Sequence, residues 1–190
     1  MKPGANICSL LDTATSPELG PGPRAGGRSL ADLNAALDSA LAGTRLSASR
    51  AALARATVLL WHDHHDPAHT LCQSVENADG SYVHGILHRR EPDFGNAAYW
   101  FRRVGTHPCF AGLAERAATL LRAAGDAGLA SRLLPGGRWD PFAFVDACES
   151  AWRRPGGATA GLLQRIQAEE FALLLDYLLS EVGLPAADPE

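Results

Sequence analysis

Lysine is almost missing from this chain: of seventeen lysine and arginine residues only Lys2 is a lysine. Asp and Glu together number 21, giving a formal charge of −4, so the basic excess or stripe of a nucleic-acid binder is not there. The bias toward arginine follows bulk composition and is not by itself a sign of anion recognition. Cysteine is scarce too. Cys8, Cys72, Cys109 and Cys148 stand far apart with no CxxC pair, which excludes a zinc knuckle and argues against a disulfide framework. No apolar run approaches the roughly 18–20 residues of a membrane span, and the N-terminus shows no run of signal-peptide length. The sequence therefore predicts a soluble, cytoplasmic protein with reduced thiols and with neither nucleic acid nor membrane as partner. Nothing in it sets an oligomeric state. Alternating β-branched runs are missing as well, so no sheet is expected.

Alanine and leucine are plentiful, and both favour helix. Hydrophobic residues make up 46% and charged residues 20% of the 190, enough for one domain with a sizeable core. Residues 1–28 read as a flexible N-terminal tail, because Ser16 to Arg28 is too rich in Pro and Gly for a regular element; Ile7, Leu10 and Leu11 could still touch the body. Residues 29–184 read as one compact all-α domain of seven or eight helices, and 185–190 as a flexible C-terminus. Ser29 caps the first helix, with Leu30, Leu33, Leu37 and Leu41 at helical spacing. Ser47 or Ser49 opens a second, interrupted by Pro67. Asp66 is placed as the cap of a third, with Pro67 at its first position. Asn77 to Gly80 read as a turn, Ser81 as the cap of the next helix, and Asp93 as the cap of a helix through Tyr99, Trp100 and Phe101. Further helices are expected over 111–124, 142–152 and 159–182.

The chemistry concentrates in one block. All seven histidines lie between His62 and His107, and six of them between His62 and His88. His84 and His88 are four apart, so a helix projects both rings from one face, the spacing with which two imidazoles chelate one ion. Glu91 follows one turn later. The pattern is not His-Glu-x-x-His, so the zinc-protease reading lacks its general base. If the helices carrying His69 and His84 pack antiparallel, His69, His84 and His88 form a three-nitrogen metal set. Asp66 or Glu91 would then serve as fourth ligand or catalytic base, a donor set that suits Zn²⁺, Fe²⁺ or Mn²⁺. Arg89, Arg90, Arg102 and Arg103 end two helices and could clamp an anion with their planar forks, with Asn96 and Tyr99 beside them as further substrate contacts. His64 and His65 read as structural or solvent-facing.

The string His84-Gly-Ile-Leu-His-Arg-Arg-Glu-Pro-Asp-Phe-Gly-Asn-Ala-Ala-Tyr-Trp-Phe-Arg-Arg-Val-Gly-Thr-His-Pro108 resembles that of a family of uncharacterised bacterial and fungal proteins. The upstream Asp66-x-x-His69-x-x-x-Gln73 is similar to that family's Asp-x-Ser-His motif, with Ala68 in place of the serine. The resemblance covers about residues 58–110 and brings no activity with it. It implies a choice among histidines, since His69, His84, His88 and His107 match its pattern while His64 and His65 stand where apolar or bulky residues are usual.

Two functions follow from these residues. One is a divalent-metal-dependent enzyme acting on a small polar or anionic molecule. The other is a non-catalytic binding or structural protein, in which the His/Arg block is a hydrogen-bond network or a metal-free anion site.

Overall fold

A computed structural model of the chain describes residues 5–180. The expected C-terminal segment 185–190, the end of the expected 29–184 domain and the first residues of the expected tail lie outside the described residues. Among the described residues are ten α-helices and no strand, joined by turns that include two short 3-10 pieces. They are α1 (Ala5–Cys8), α2 (Leu30–Leu41), α3 (Ala48–Trp61), α4 (His65–Cys72), α5 (Ala78–Arg90), α6 (Phe94–Val104), α7 (Cys109–Ala124), α8 (Ala127–Leu133), α9 (Pro141–Trp152) and α10 (Ala158–Leu179). The all-α expectation holds, with two short helices more than the seven or eight read from periodicity. Those two are α1 and α8, each too short to show a repeat. The one local signal for α8 is Asp126, whose carboxylate accepts the Leu129 N–H at 2.8 Å.

Expected caps at Ser29, Ser47 and Asp93 are present, each side chain accepting a backbone N–H three residues on. Two helix starts differ from expectation, and both differences shape the site. Helix α3 ends at Trp61 rather than at Pro67, because Asp63 takes a left-handed backbone (φ 67°) and its carboxylate is held by Arg24 and Arg90. The chain restarts at His65, so Asp66 is not a cap. Pro67 falls in the first turn, where no N–H is needed. Helix α5 begins a turn earlier than Ser81, because Asn77 caps it by accepting the Gly80 N–H at 2.8 Å.

Helix α5 is the centre of the fold. Every residue from Gly80 to Arg90 is buried, with α4 and α6 packed along it and α3 and α9 also against it. Tyr82, Val83, Ile86 and Leu87 join one apolar core with α3 and α10. A second apolar cluster lies among α7, α8, α9 and the first half of α10. The α5–α6 approach is close at Gly85, where a Cβ would stand 2.8 Å from the Phe101 ring.

Burying α5 also buries two guanidinium groups, and each is neutralised. Arg89 meets Glu170 of α10 at 2.5 Å and the Gln167 side chain at 3.3 Å, with its guanidinium 4.5 Å from the centre of the Phe144 ring. Arg90 donates to Asp63 at 2.6 Å and to the carbonyls of Leu60, Gly20 and Glu18.

Those last two carbonyls belong to the segment expected to be a flexible tail. Its described part, residues 5–28, is instead laid along the body. Ile7 and Leu10 are buried in the core, and Gln167 donates to the Pro17 and Glu18 carbonyls. His62 joins two points of the segment, its Nδ1 accepting the Arg28 N–H at 3.1 Å and its Nε2 donating to the Leu10 carbonyl at 2.8 Å. Between Ser16 and Arg28 proline and glycine exclude a helix, but they leave carbonyls free to accept from buried arginine and glutamine.

Two expectations follow. Asp63→Ala strands the Arg90 and Arg24 charges, and loss of one partner of a buried pair costs about 3–5 kcal/mol. Denaturant unfolding should show that loss; a change below about 1 kcal/mol would contradict the pairing. His62 is held below its ordinary pKa of 6.5, mainly by burial and further by Arg24 and Arg28, against the pull of the Leu10 carbonyl. The unfolded state therefore takes up a proton first, and stability falls as pH drops below about 6.5. His62→Gln should flatten that part of the stability–pH curve, and an unchanged curve would contradict it.

Candidate metal centre

The early start of α4 puts His65 and His69 four residues apart on one helix, as His84 and His88 are on α5. The two helices are neighbours in sequence, joined by the short stretch from Gln73 to Asn77, and they pack directly together. His69 lies across from both α5 histidines: its ring centre is 5.1 Å from that of His84 and 5.5 Å from that of His88. One ligand nitrogen from each of His69, His84 and His88 falls within 4.8 Å of the others. Two donors on a tetrahedral Zn²⁺ at about 2.0–2.1 Å lie roughly 3.3 Å apart, closer than the 4.8 Å that bounds this set.

The surroundings favour the uncharged rings a metal needs. His84 is 1% and His88 8% exposed. Burial, with the neighbouring His69 and His88, pushes the His84 imidazole down to about 4. Burial also lowers His88, although Glu91 beside it pulls the other way. Neither ring nitrogen of His84 makes a well-aligned hydrogen bond, although the Gly80 carbonyl is near enough to pull its pKa upward against burial. A buried polar group without a partner costs on the order of 1–3 kcal/mol, and an ion would supply what is missing.

Each expected site residue can now be placed. Glu91 Oε2 lies 3.1 Å from His88 Nδ1, at ion-pair distance though off the line of a hydrogen bond. Its other oxygen is 3.8 Å from His65 Nδ1. With Glu91 on Nδ1, Nε2 is the nitrogen left for a ligand, and it lies 3.3 Å from the Asn96 amide. Asn96 is therefore at the site, on α6. Asp66 is not: it is exposed, one position past the face that His65 and His69 share. It is neither fourth ligand nor base in this arrangement.

The arginine clamp does not form. Arg89 and Arg90 point inward and are spent on the buried pairs described above. Arg102 and Arg103 are exposed on α6, and neither enters an ion pair among the described residues. The Arg103 guanidinium sits 5.5 Å from the centre of the Trp100 ring. It lines a hollow of about 290 Å³ with Asn77, Ala78, Ser81 and Glu76, whose carboxylate opposes an anion there. Tyr99 is 46% exposed and edge-on to Trp100. A larger cavity of about 690 Å³ lies between the start of α6 and α9 and is lined by no histidine.

The remaining histidines divide by their partners. His62 ties down the N-terminal segment, His64 donates to the Arg28 carbonyl at 2.9 Å, and His107 bridges Asp79 of α5 and the Cys109 N–H. The match of His107 to the family string thus falls on a structural residue. His65 falls on the structural side of the structural-or-solvent expectation. Both its nitrogens are buried without a well-aligned hydrogen bond, and burial together with the Arg90 charge lowers it to about 4, against the pull of Asp63 and the Pro21 carbonyl. Its spacing to His69 was the available signal, hidden by the Asp66-Pro67 helix start the sequence suggested. Trp100 was the other residue missed: its ring stacks on His84 at 4.0 Å and 7°.

No family model, curated protein or solved structure matches the chain. Nor does any helix of the described residues have the length and apolarity to cross a membrane.

Because Gly85 lies between His84 and Ile86 and faces Phe101, adding a methyl there pushes α6 from α5. Gly85→Ala should cost about 1–3 kcal/mol, as overpacking does, measured by denaturant unfolding. Unchanged stability would show that the interface has room to spare.

Proposed function

We propose that this chain is a divalent-metal-dependent enzyme acting on a small polar molecule, with Zn²⁺, Fe²⁺ or Mn²⁺ held by His69, His84 and His88. The observation that carries this reading is the convergence of three imidazoles from two helices, two of them buried and one with no well-aligned hydrogen bond at either nitrogen. Three protein ligands leave a coordination position open, the arrangement of catalytic rather than closed structural sites. Held by these three residues, such an ion would polarise a water or substrate oxygen and make it more acidic.

Glu91 takes the role of an orienting carboxylate: from Nδ1 it fixes the His88 ring and raises its basicity as a ligand. Asn96 stands beside the ligand nitrogen of His88, placed to contact a bound molecule. Arg89 and Arg90 build the scaffold and take no part in substrate binding. The alternative of a purely structural polar network describes Arg89, Arg90, His62 and His107 well. It gives no reason for His69, His84 and His88 to converge.

Elemental analysis of untagged protein should find near one equivalent of metal, lost in the His84→Ala/His88→Ala double variant. Protein that purifies without metal, and whose thermal stability is unmoved by added Zn²⁺, Mn²⁺ or Fe²⁺, would overturn the reading. Glu91→Gln should weaken metal binding by about 10–100-fold, as loss of such a partner does. Azide should shift the visible spectrum of the Co²⁺-loaded protein by entering the open position. An unshifted spectrum would mark the site as closed and structural.

A further inference from the structure

Metal-binding histidines almost always give their second ring nitrogen a hydrogen-bond partner, which sets the tautomer and holds the ring's orientation. Two members of this set fall differently. His88 has the Glu91 carboxylate 3.1 Å from its Nδ1, at ion-pair distance. His84 makes no well-aligned hydrogen bond at either nitrogen; its one polar backbone neighbour is the Gly80 carbonyl, one turn back on the same helix. What lies against it is the indole of Trp100, with ring centres 4.0 Å apart and planes within 7°. On the indole rest Tyr99, edge-on at 5.4 Å, and the Arg103 guanidinium at 5.5 Å. His69 meets the His84 ring edge-on, at 89°.

From this we infer that Trp100 is a positioning residue of the metal centre. Its indole face sets the plane of the His84 imidazole, and so the direction of the ligand lone pair, which the poorly aligned contact to the Gly80 carbonyl does not fix. The inference rests on the metal-binding reading of the three histidines and adds to it a residue from a third helix. The physical basis is steric and electrostatic together. A flat indole in van der Waals contact leaves an imidazole one low-energy plane, the stacked one, since rotation would drive the ring edge into the indole. The ligand nitrogen lies in that plane and is therefore aimed along the indole face. Arg103 on the indole limits the freedom of the indole itself. A phenylalanine at 100 keeps a flat face; a leucine does not.

The stack also makes Trp100 an optical reporter, because an ion on His84 lies next to its indole. The test is titration of apo protein with Co²⁺ and Zn²⁺, following tryptophan fluorescence and, for Co²⁺, the visible bands. Wild type, Trp100→Phe, Trp100→Leu and His84→Ala are compared, with circular dichroism confirming that each variant is folded. Co²⁺ should quench wild-type fluorescence, and the difference between wild type and Trp100→Phe should contain most of the quenched signal. Zn²⁺ affinity should fall about tenfold or more in Trp100→Leu, the range for loss of an orienting partner, and return to within a few-fold of wild type in Trp100→Phe. The Co²⁺ bands should shift in Trp100→Leu and stay in place in Trp100→Phe. If wild type binds metal in a His84-dependent way and Trp100→Leu binds it equally well with unshifted bands, Trp100 only packs and this inference fails. If wild type binds neither ion, the metal reading itself fails. Should Trp100→Leu not fold, the quench difference and the bands of Trp100→Phe decide: a quench unchanged by removal of the indole overturns the inference.

Discussion

Two adjacent arginines, both fully buried, set the terms on which helix α5 enters the core. A guanidinium group taken out of water is costly unless an anion and enough acceptors meet it, and here they come from opposite directions. Arg89 reaches α10, where Glu170 and Gln167 wait; Arg90 reaches back to Asp63 and to three backbone carbonyls. These contacts pin α5 to α10, to the end of α3 and to the N-terminal segment. Rotation of α5 about its axis would break all of them at once. The face bearing His84, His88 and Glu91 is thereby fixed toward α4 and α6.

The two sides of α5 obey opposite rules. On the arginine side each guanidinium meets a carboxylate, and that pairing holds the helix even though Arg89 Nε, Arg24 Nη2 and Tyr82 Oη are buried without a partner. On the histidine side burial is just as deep, yet no carboxylate meets His84, and Glu91 meets His88 only at ion-pair distance. Stability alone selects against such a face, because buried polar groups are ordinarily satisfied. Residues that break that rule mark places where something other than folding sets the residue type. Burial disfavours the charged forms of His84 and His88, and neutral imidazole nitrogen is the donor a borderline divalent ion requires. The carboxylate of Glu91 lies beside one of these rings and the indole of Trp100 against the other.

Much of this was legible in the residues. The four-residue spacing of His84 and His88 needs only helical periodicity, and the addition of His69 needs only the short connection between its helix and theirs. The caps at Ser29, Ser47 and Asp93 were equally plain. The arginines misled because a helix-ending Arg-Arg pair carries the same signal whether it faces solvent, a substrate or the core. The deciding partners, Glu170 and Gln167, lie some eighty residues away in sequence. His65 and Asp66 were exchanged because Asp-Pro is a strong helix-start signal, and the bonds that hold Asp63 in its left-handed turn are made by Arg24 and Arg90, both distant in the chain. The N-terminal segment looked loose because proline and glycine signal the lack of helix, and say nothing about carbonyls offered to buried side chains. Trp100 showed only as one aromatic in a helix, and nothing local says which distant ring it stacks on.

The claim on which the account turns is that His69, His84 and His88 share one ion. Imidazole nitrogen shifts report it directly, since protonation, tautomer and metal coordination each move a ring ¹⁵N resonance by a different amount. On addition of one equivalent of Zn²⁺ to ¹⁵N-histidine-labelled apo protein, one nitrogen each of His69, His84 and His88 should move to the metal-bound range. The rings of His62, His64 and His107 should keep their positions. Shifts spread over all seven histidines, or over none, would contradict the account.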